Sequence, residues 1–447
     1  MANTHLSRGV TRDGSNTFIT KFTYSVWLKR SELGTAHIFG AYQLSSYYTE
    51  FYFDTSDNLV LYSFINSVGQ INIETNRVFR DVNAWYHLVF EVDTTLATDS
   101  DRVKIWVNGV QETSFSTTTY PPQNNTGQFD DTGATLNIGN SSARTAFSGL
   151  MTHIHYTPYT AYDASYFGET DATTGIWKAK TSPSVTYPTN GFFLKGENSS
   201  ALGTDSSGNG NNFTVNGTPT QTIDTPSNVF ATLNPLDKYY SQATFSNGNN
   251  QSAMTGSHET YTTSTLGVSK GKYYCEGKVA VASAFCMLGI VGRYPTASLH
   301  HVGYYNDGYG YNGGSATLWT NNSSSSYGNT FTTNDIIGIA VDLDNNKLYF
   351  SKNGVFQNSG DPTSGATGTG AVSILDPDNT TNGSYLFGFG CRNNDGVTWQ
   401  TNFGNGFFGT TAVASAGTNA GVGIFEYDVP TGYYALCTKN INTQEYS

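Results

Sequence analysis

Two Asn-Gly pairs, each set between short runs of alternating apolar and polar residues, constrain the fold of this 447-residue chain most strongly. Arg102–Gln111 reads RVKIWVNGVQ, and Asp335–Gln357 reads DIIGIAVDLDNNKLYFSKNGVFQ. Asn and Gly both tolerate the positive φ angles of a type I′ turn, which joins the strands of many β-hairpins. The two stretches therefore predict antiparallel hairpins far apart in the chain, and with them two separate all-β bodies.

Composition supports this fold class. Charged residues make up only 13% of the chain, about half the usual share of roughly 25%. The chain instead contains 30 Tyr, 27 Phe and 48 Gly, a composition typical of strands and turns. Because the chain is too long for one ordinary core, we predict two consecutive β-sandwich domains with a short C-terminal extension.

Charge and cysteine content limit the classes of binding partner and the cellular compartment that we expect for this protein. The net charge is −12 and the pI is about 5.0, so we expect no nucleic acid and no anionic membrane surface as a partner. No apolar run is long enough for membrane insertion, and Met1–Gly14 has no apolar stretch typical of a secretory signal. The four cysteines lack metal-binding spacing. We expect buried free thiols in a protein made in a reducing cytoplasm.

Predicted strands and turns divide the chain into four parts. Residues 1–190 form a jelly roll, and residues 191–238 form a turn-rich closing hairpin and linker that contains Pro219, Pro226 and Pro235. Residues 239–408 form the second sandwich. Residues 409–447 are a C-terminal extension, which we expect to dock on a neighbour or to begin a further module.

The first body resembles the laminin-G-like, concanavalin-A-type jelly roll. The matching segments, in order, are Phe22–Arg30 (FTYSVWLKR), Asn83–Asp93 (NAWYHLVFEVD), Arg102–Gln111, Asn137–Asn140 (NIGN) and Phe147–His155 (FSGLMTHIH). They cover most of residues 18–168. The resemblance implies a sandwich of two antiparallel sheets.

The second body resembles a SPRY domain, a bent β-sandwich. The matching segments are Gly271–Val279 (GKYYCEGKV), Met287–Gly292 (MLGIVG), Asp335–Gln357, Tyr385–Gly390 (YLFGFG) and Val397–Phe403. A laminin-G-like domain followed by a SPRY domain is similar to tail or fibre proteins of marine bacteriophages. Both folds host binding more often than catalysis, although a fold alone does not establish function.

This resemblance implies a bacteriophage virion structural protein, namely a fibre, tail or capsid appendage that presents its sandwiches to the host surface. The expected partners are other virion proteins, further copies of the chain in a homo-oligomer (a trimer is favoured) and a host cell-surface glycan. The expected location is the virion, assembled in the host cytoplasm and released by lysis. Two alternatives stay open: a purely architectural adaptor or decoration protein, and a polysaccharide depolymerase.

The sequence contains no convincing catalytic motif, so we expect no enzymatic activity. Gly308–Gly313 (GYGYNG) matches G-x-G-x-x-G, but it lies among Tyr-rich turns with no following helix, which argues against dinucleotide binding. G-x-S-x-G, H-E-x-x-H and Walker motifs are absent from the sequence. Pairs of acidic residues such as Asp130 and Asp131 lie in turns, where carboxylates usually accept backbone hydrogen bonds.

An aromatic run in the second body is the best candidate for ligand binding. Its residues are Tyr304, Tyr305, Asp307, Tyr309, Tyr311 and the more distant Trp319. Aromatic rings stack on the apolar C–H faces of sugars, and a carboxylate accepts hydrogen bonds from sugar hydroxyls. The alternative, which we favour at this point, is that these rings fill the core or a subunit interface, where Tyr is also enriched.

Calcium is the one cofactor that the sequence suggests. In Asp205–Asn211 (DSSGNGN), Asp205, Asn209 and Asn211 are spaced like early ligands of an oxygen-rich Ca²⁺ loop. No bidentate Glu follows, so an ordinary Asx/Gly turn is the favoured alternative.

Overall fold

The computed structural model describes residues 4–10, 19–44, 47–65, 68–126, 129, 133–140, 144–172, 175–237, 243–254, 259–294, 300–392, 396–419 and 421–445. The chain separates into two compact units, residues 1–221 with 225–227, and residues 222–224 with 228–447. Strands dominate both units, which confirms the all-β prediction. In the part of the chain that is described, no helix has the length and apolarity needed to cross a membrane.

The first unit is a sandwich of two antiparallel sheets. Its strands are β1 (His5–Gly9), β2 (Lys21–Arg30), β3 (Ala36–Leu44), β4 (Tyr47–Phe53), β5 (Asn58–Ile65), β6 (Val68–Val78), β7 (Trp85–Asp93), β8 (Val103–Val107), β9 (Val110–Glu112), β10 (Phe115–Thr119), β11 (Thr135–Ile138), β12 (Gly149–Pro158), β13 (Gly168–Thr170), β14 (Trp177–Ala179), β15 (Phe192–Leu194) and β16 (Thr214–Asn216). One sheet has the order β10-β6-β5-β4-β3-β11-β1-β16, and the other has the order β15-β12-β2-β7-β8-β9.

Residue alternation along the strands builds the core of this unit. On β2 the predicted apolar set, Phe22, Tyr24, Val26 and Leu28, lies in the core, as a period of two residues requires. The segment after residue 190 also belongs to the sandwich, since β15 pairs with β12 and β16 pairs with β1. Two short parts of the segment that we predicted to be a closing hairpin and linker therefore supply edge strands, one to each sheet.

The second unit contains a nine-stranded and a six-stranded sheet. Its elements are β17 (Ala243–Ser246), β18 (Gln251–Met254), β19 (Thr260–Thr263), β20 (Lys272–Val281), β21 (Cys286–Val291), β22 (Gly308–Asn312), β23 (Thr317–Thr320), β24 (Ser323–Ser326), β25 (Ile336–Asp342), β26 (Lys347–Lys352), β27 (Val355–Phe356), β28 (Val372–Ser373), β29 (Leu386–Cys391), β30 (Val397–Asn402), β31 (Phe407–Phe408), β32 (Thr411–Ala412), β33 (Tyr434–Ala435) and helix α1 (Thr438–Glu445). Short 3₁₀ helices span Asp99–Asp101, Ala164–Tyr166, Gln357–Ser359, Pro362–Thr367 and Pro377–Asn379.

The nine-stranded sheet has the order β17-β18-β30-β20-β25-β26-β27. In addition, β28 pairs with β26, and β33 pairs with β20. The six-stranded sheet has the order β19-β29-β21-β22-β23-β24. One expectation was wrong here: Gly308–Asn312 is not a turn region but the buried strand β22. Its Gly-Tyr alternation places Tyr309 and Tyr311 on the inward face.

The C-terminal extension packs on its own unit. Strand β33 pairs in parallel with β20. Phe425 and Tyr433 lie in one buried cluster with Tyr274 and Tyr349, which project from the outer face of the nine-stranded sheet. This contact explains why β25 and β26 are almost wholly buried. The described part of the extension thus packs on the preceding part of its own unit.

Both Asn-Gly pairs form the predicted turns. Asn108 and Gly109 have φ angles of 49° and 81°, and Asn353 and Gly354 have φ angles of 48° and 80°. The flanking residues pair across each hairpin as a two-residue connection requires. The prediction of free, buried cysteines is also confirmed: Cys275, Cys286, Cys391 and Cys437 are all buried and unbonded to one another.

Candidate functional site

The structure separates the predicted aromatic residues into a buried pair and an exposed group. Tyr309 and Tyr311 lie in the core of the second unit. The Tyr309 hydroxyl accepts a hydrogen bond from the Leu375 amide at 2.9 Å, and the Tyr311 hydroxyl donates to the Asn329 carbonyl. Neither ring offers a face to a ligand in solution, so the ligand-binding prediction is wrong for these two residues and the core alternative is the one observed.

Asp307 is also engaged internally. Its carboxylate accepts two parallel hydrogen bonds from Arg293, with Nε 2.8 Å from Oδ1 and the terminal nitrogen 2.9 Å from Oδ2. Thr381 donates a further bond at 2.9 Å. Burial opposes ionisation, but the bonds from Arg293 and Thr381 outweigh it and lower the pKa of Asp307 below its ordinary value. Asp307 therefore positions Arg293 and does not present a free acceptor to a sugar hydroxyl.

The remaining predicted residues belong to a continuous row of side chains, which we call the aromatic–arginine strip. Its half-buried members are Arg293, His300, Tyr304, Tyr305, Trp319 and Arg392, and the buried His301 lies among them. The guanidinium carbon of Arg293 lies 4.0 Å from the centre of the Tyr305 ring, and that of Arg392 lies 3.9 Å from the Trp319 ring. These distances are typical of cation–π contacts.

The two histidines link the two ends of the strip. The His300 ring centre lies 3.9 Å from that of Tyr304 and 4.9 Å from that of Tyr305. The His301 ring lies edge-on to Trp319 at 5.2 Å and to Tyr304 at 5.8 Å. Burial lowers the pKa of His301, which keeps its imidazole neutral at neutral pH.

A row of glycines on the six-stranded sheet explains why the segment that carries these rings lies where it does. Gly289 pairs with Gly310 on one side and with Gly388 on the other, and all three alternate with core residues and so lie on the outer face. A Cβ on Gly310 would lie 2.2 Å from the Val302 carbonyl oxygen. Glycine at these strand positions therefore lets the backbone around Val302 approach the sheet closely.

Val302 anchors this segment to the sheet. Its side chain is buried in a small cluster with Tyr261, Val291 and Leu386. Gly303 follows with φ of 90°, and a Cβ there would lie 2.2 Å from the Trp319 carbonyl oxygen. The rings on either side of Val302 are thus held on a packed support, which restricts their positions before any ligand binds.

Charges along the strip are balanced. Arg293 is paired with Asp307, and Arg392 lies 3.5 Å from the Glu259 carboxylate. With each arginine facing a carboxylate, the strip presents aromatic faces and hydrogen-bonding groups with little net charge. Nearby, burial raises the pKa of Asp237 to about 6 although Thr263 donates to its carboxylate, so this carboxyl group becomes mostly neutral only below about pH 6.

Neither Arg293 nor Arg392 is among the residues that the sequence predicts for this site. Each arginine follows a strand of the six-stranded sheet, Arg293 after β21 and Arg392 after β29. A signal was present: the glycines inside MLGIVG and YLFGFG interrupt apolar strands, which marks a place where another backbone approaches the sheet. Which backbone segment lies over these glycines depends on long-range packing.

The predicted calcium ligands serve as internal hydrogen-bonding groups. The Asp205 carboxylate accepts bonds from the backbone amides of Phe193, Ser207 and Asn211 at 2.8–2.9 Å. The Asn209 amide donates to three backbone carbonyls.

The third predicted ligand, Asn211, donates to the carbonyls of Thr189 and Gly191, and its side-chain oxygen accepts a bond from Arg8. Among the residues that the structure describes, no three His, Cys, Asp or Glu side chains cluster as metal ligands. The geometry is that of the Asx/Gly turn, here closing the first sandwich, with Asp205, Asn209 and Asn211 all hydrogen-bonded within the chain.

Comparison with known families agrees with this architecture. Residues 7–160 match the laminin-G-like model of the concanavalin A-like lectin/glucanase superfamily. Residues 257–375 match the SPRY domain model. The chain contains a laminin-G-like domain followed by a SPRY domain. The aromatic–arginine strip therefore lies partly within the matched SPRY region, with Arg392 beyond its end.

Relatives of known structure are distant. The SPRY domain of human HERC1 is 14% identical, with 38% of this chain and 96% of that chain covered and a TM-score of 0.30. Domain 4 of the arabinanase AbnA from Geobacillus stearothermophilus, solved with arabinotriose, is 20% identical over 34% of this chain and 66% of that chain, with a TM-score of 0.26. A pentraxin from Limulus polyphemus is 15% identical over 40% and 87%, with a TM-score of 0.28. No curated protein matches the chain.

Proposed function

We propose that the chain is a structural protein of a bacteriophage virion, a fibre, tail or capsid appendage, whose SPRY domain binds a host-surface glycan through the aromatic–arginine strip. The observation that carries the binding proposal is the row of half-exposed rings held by two paired arginines. The virion role is supported by the order of the two domains, which is similar to that in marine phage tail and fibre proteins.

The strip suits a carbohydrate for two physical reasons. Tyr304, Tyr305 and Trp319 supply partly exposed rings for the C–H faces of a sugar, and the arginines supply hydrogen-bond donors beside them. The charges of Arg293 and Arg392 are offset by Asp307 and Glu259, which favours a neutral ligand. Packing around Val302 reduces the entropy lost when the rings are ordered by a ligand.

We propose binding without catalysis. A glycosidase uses two carboxyl groups in fixed roles on either side of the scissile bond. The carboxylates at the strip, Asp307 and Glu259, each face an arginine, and Asp307 also accepts from Thr381. This arrangement favours glycan recognition over the depolymerase alternative.

An architectural adaptor remains the second candidate. It is favoured by the use of Tyr309 and Tyr311 as core residues and by the extensive burial of the C-terminal extension on its own sheet. In that case the strip would face another virion protein rather than a sugar.

The test is a glycan array and a host-cell binding assay with the assembled protein. We expect Trp319→Ala to weaken binding about tenfold or more, because truncating a central aromatic contact commonly costs more than 1.4 kcal/mol. Tyr166→Ala is the matched control, since Tyr166 is 39% exposed and lies in the other unit. Unchanged binding by Trp319→Ala, or no binding by the wild type, would contradict glycan recognition by the strip.

Two further measurements test the virion role. Immunogold labelling should place the protein on purified virions, and sedimentation equilibrium should give a homo-oligomer, with a trimer as the expected state. Virions without label would contradict both the appendage and the adaptor proposals. Labelled virions together with a negative glycan array would favour the adaptor.

A further inference from the structure

Two of the four buried cysteines lie directly opposite each other on neighbouring strands of the second unit. Cys286 begins β21 and Cys391 ends β29, and the register of these antiparallel strands pairs the two residues. Residues that are paired in this way project their side chains to the same face of a sheet. Both cysteines belong to the buried core of the unit, so both thiols point from the six-stranded sheet into that core.

Backbone hydrogen bonds show which kind of antiparallel pair the two cysteines form. The next pair in this register is Phe285 with Arg392, and the Arg392 amide donates to the Phe285 carbonyl at 2.8 Å. The Cys286 carbonyl instead accepts from the Gly313 amide, which lies on the other side of β21. Hydrogen-bonded and non-hydrogen-bonded pairs alternate along an antiparallel ladder, so Cys286 and Cys391 form a non-hydrogen-bonded pair.

A non-hydrogen-bonded pair has the spacing that a disulfide needs. Its Cα atoms lie about 4.5 Å apart, and its side chains are closer together than those of a hydrogen-bonded pair. Cysteines that are joined by a disulfide have Cα atoms about 4.4–6.8 Å apart. The two strands can therefore form a bridge between Cys286 and Cys391 in the register that they already have.

The other two cysteines lie opposite residues of other types. Cys275 on β20 is directly opposite Ile339 on β25. Cys437 pairs with Phe230 and belongs to a separate buried cluster. The register therefore singles out Cys286 and Cys391 among the four thiols.

The surroundings of the pair make its oxidation slow but leave a route for a small oxidant. Both thiols are buried, and burial raises the pKa of Cys286 to about 11, so little reactive thiolate is present at neutral pH. Both residues nevertheless lie at strand ends, close to the half-buried Phe285 and the exposed Ala284. Such ends open locally more easily than the centre of a sheet.

We propose that Cys286 and Cys391 form a reversible cross-strand disulfide when hydrogen peroxide reaches the folded protein outside a reducing compartment. One thiolate attacks a peroxide oxygen and breaks the O–O bond, which gives a sulfenic acid and hydroxide. The second thiolate attacks that sulfur and displaces its hydroxide, which forms the S–S bond. Two thiols are thereby oxidised to one disulfide, and one peroxide is reduced to two water molecules that take up the thiol protons.

The bridge would fix the strand end that carries Arg392. This arginine follows Cys391 directly, and its amide is bonded to Phe285 beside Cys286. The bridge would also close a loop of about 100 residues, which reduces the entropy of the unfolded chain. The oxidised second unit should therefore be more stable than the reduced one. This inference depends neither on glycan binding nor on the virion role.

Peptide mapping after mild oxidation tests the proposal. Full-length protein is treated with hydrogen peroxide at mildly alkaline pH, the remaining thiols are alkylated, and the digest is analysed by mass spectrometry. We expect one linked pair of peptides, Cys286 with Cys391, whereas Cys275 and Cys437 should be alkylated. Oxidation should raise the unfolding temperature of the second unit by about 5–10 °C, and dithiothreitol should reverse both the link and this rise.

Two variants and a matched control make the result specific. Cys286→Ala and Cys391→Ala should each abolish the link and the rise in unfolding temperature. Cys275→Ala removes a thiol from the same buried core but should preserve both effects. A parallel oxidation in urea below the unfolding transition opens the strand ends further, in case the native state reacts too slowly.

The proposal is overturned if neither condition yields a disulfide between Cys286 and Cys391. It is also overturned if the disulfides that form join other cysteines, or if either thiol is oxidised to the sulfinic acid without forming the link.

Discussion

The strip and a second row of rings, on the eight-stranded sheet of the first unit, are held by different forces. The second row, which we call the tyrosine ladder, contains the half-buried residues Tyr42, Tyr48, Tyr62 and Phe64. In the strip, Arg293 and Arg392 cover Tyr305 and Trp319, so rings are positioned by cations. In the ladder, Tyr42, Tyr48 and Phe64 contact one another across adjacent strands. The strip depends on a backbone segment laid over glycines, whereas the ladder follows directly from strand register.

This difference shows that a high Tyr content has no single meaning in this chain. Tyr42, Tyr48, Tyr62 and Phe64 are regular sheet residues, and their half-buried side chains follow from strand register. The strip rings lie mainly on a connecting segment whose position depends on Val302 and on the glycines beneath it. The surfaces therefore differ in how they should respond to pH, truncation and salt.

The largest expected difference is in the pH response of the two units. Burial lowers the pKa of His37 and of His87 in the first unit to about 3. Both remain neutral when folded but gain a proton when unfolded below pH 6.5, so acidification from pH 7 to 5 should destabilise the first unit by about 2 kcal/mol for each histidine.

Glu276 gives the second unit the opposite response. It is fully buried, and burial raises its pKa to about 7 although the amides of Glu426 and Tyr427 and the side chains of Tyr274 and Asn402 bond to it. Between about pH 4.5 and pH 7 the folded state binds more protons than the unfolded state. Stability from this group is therefore lost as pH rises through that window, and acidification to pH 5 should add about 2 kcal/mol.

Calorimetry at pH 7 and pH 5 tests this contrast. The two unfolding transitions should move in opposite directions, by about 2–4 °C for each kcal/mol in units of this size. Glu276→Gln should reduce the upward shift of the second transition, to which Asp237 with its raised pKa also contributes, and His37→Asn should reduce the downward shift of the first. The lowered pKa of His301 has the opposite effect on the second unit, because a histidine kept neutral in the folded state destabilises that state on acidification. If the two unfolding temperatures moved in the same direction on acidification, the predicted difference between the units would be wrong.

The next largest effect separates core rings from strip rings within one sequence run. Tyr311→Ala should lower the free energy of unfolding of the second unit by about 3–5 kcal/mol, as for other buried aromatic residues. Tyr304→Ala, at a half-buried position, should cost less than about 1 kcal/mol. Urea titration followed by near-UV circular dichroism measures both. Equal losses would mean that the strip is part of the core.

The smallest effect concerns the forces that hold the rings. A double-mutant cycle on Arg392→Met and Trp319→Ala should give a coupling of about 0.5–1 kcal/mol. A cycle on Tyr48→Ala and Phe64→Ala should give a coupling of about 0.2–1 kcal/mol. In 1 M NaCl the first coupling should shrink, because salt screens exposed charges, and the second should persist. If both coupling free energies changed equally with salt, the two groups of rings would not be held by different forces.

Local sequence determined most of the strands. Asn108-Gly109 and Asn353-Gly354 fold as predicted because a type I′ turn depends on the residues at the turn itself. The apolar face of β2 was equally predictable, since alternation in a strand is a property of adjacent residues. The order of these local patterns was also sufficient to indicate a laminin-G-like domain followed by a SPRY domain, which the family comparisons confirm.

Only the tertiary structure decided which aromatic rings stay accessible. Period-two alternation assigns Tyr309 and Tyr311 to one face of a strand, but it does not say what covers that face; here it is the opposing sheet. Tyr433 of the C-terminal extension likewise packs in one buried cluster with Tyr349 on the far side of the nine-stranded sheet. Arg392 reaches Trp319 across more than seventy residues of sequence. Such contacts depend on which distant segments pack together, and a strand pattern encodes its own two faces but not its partners.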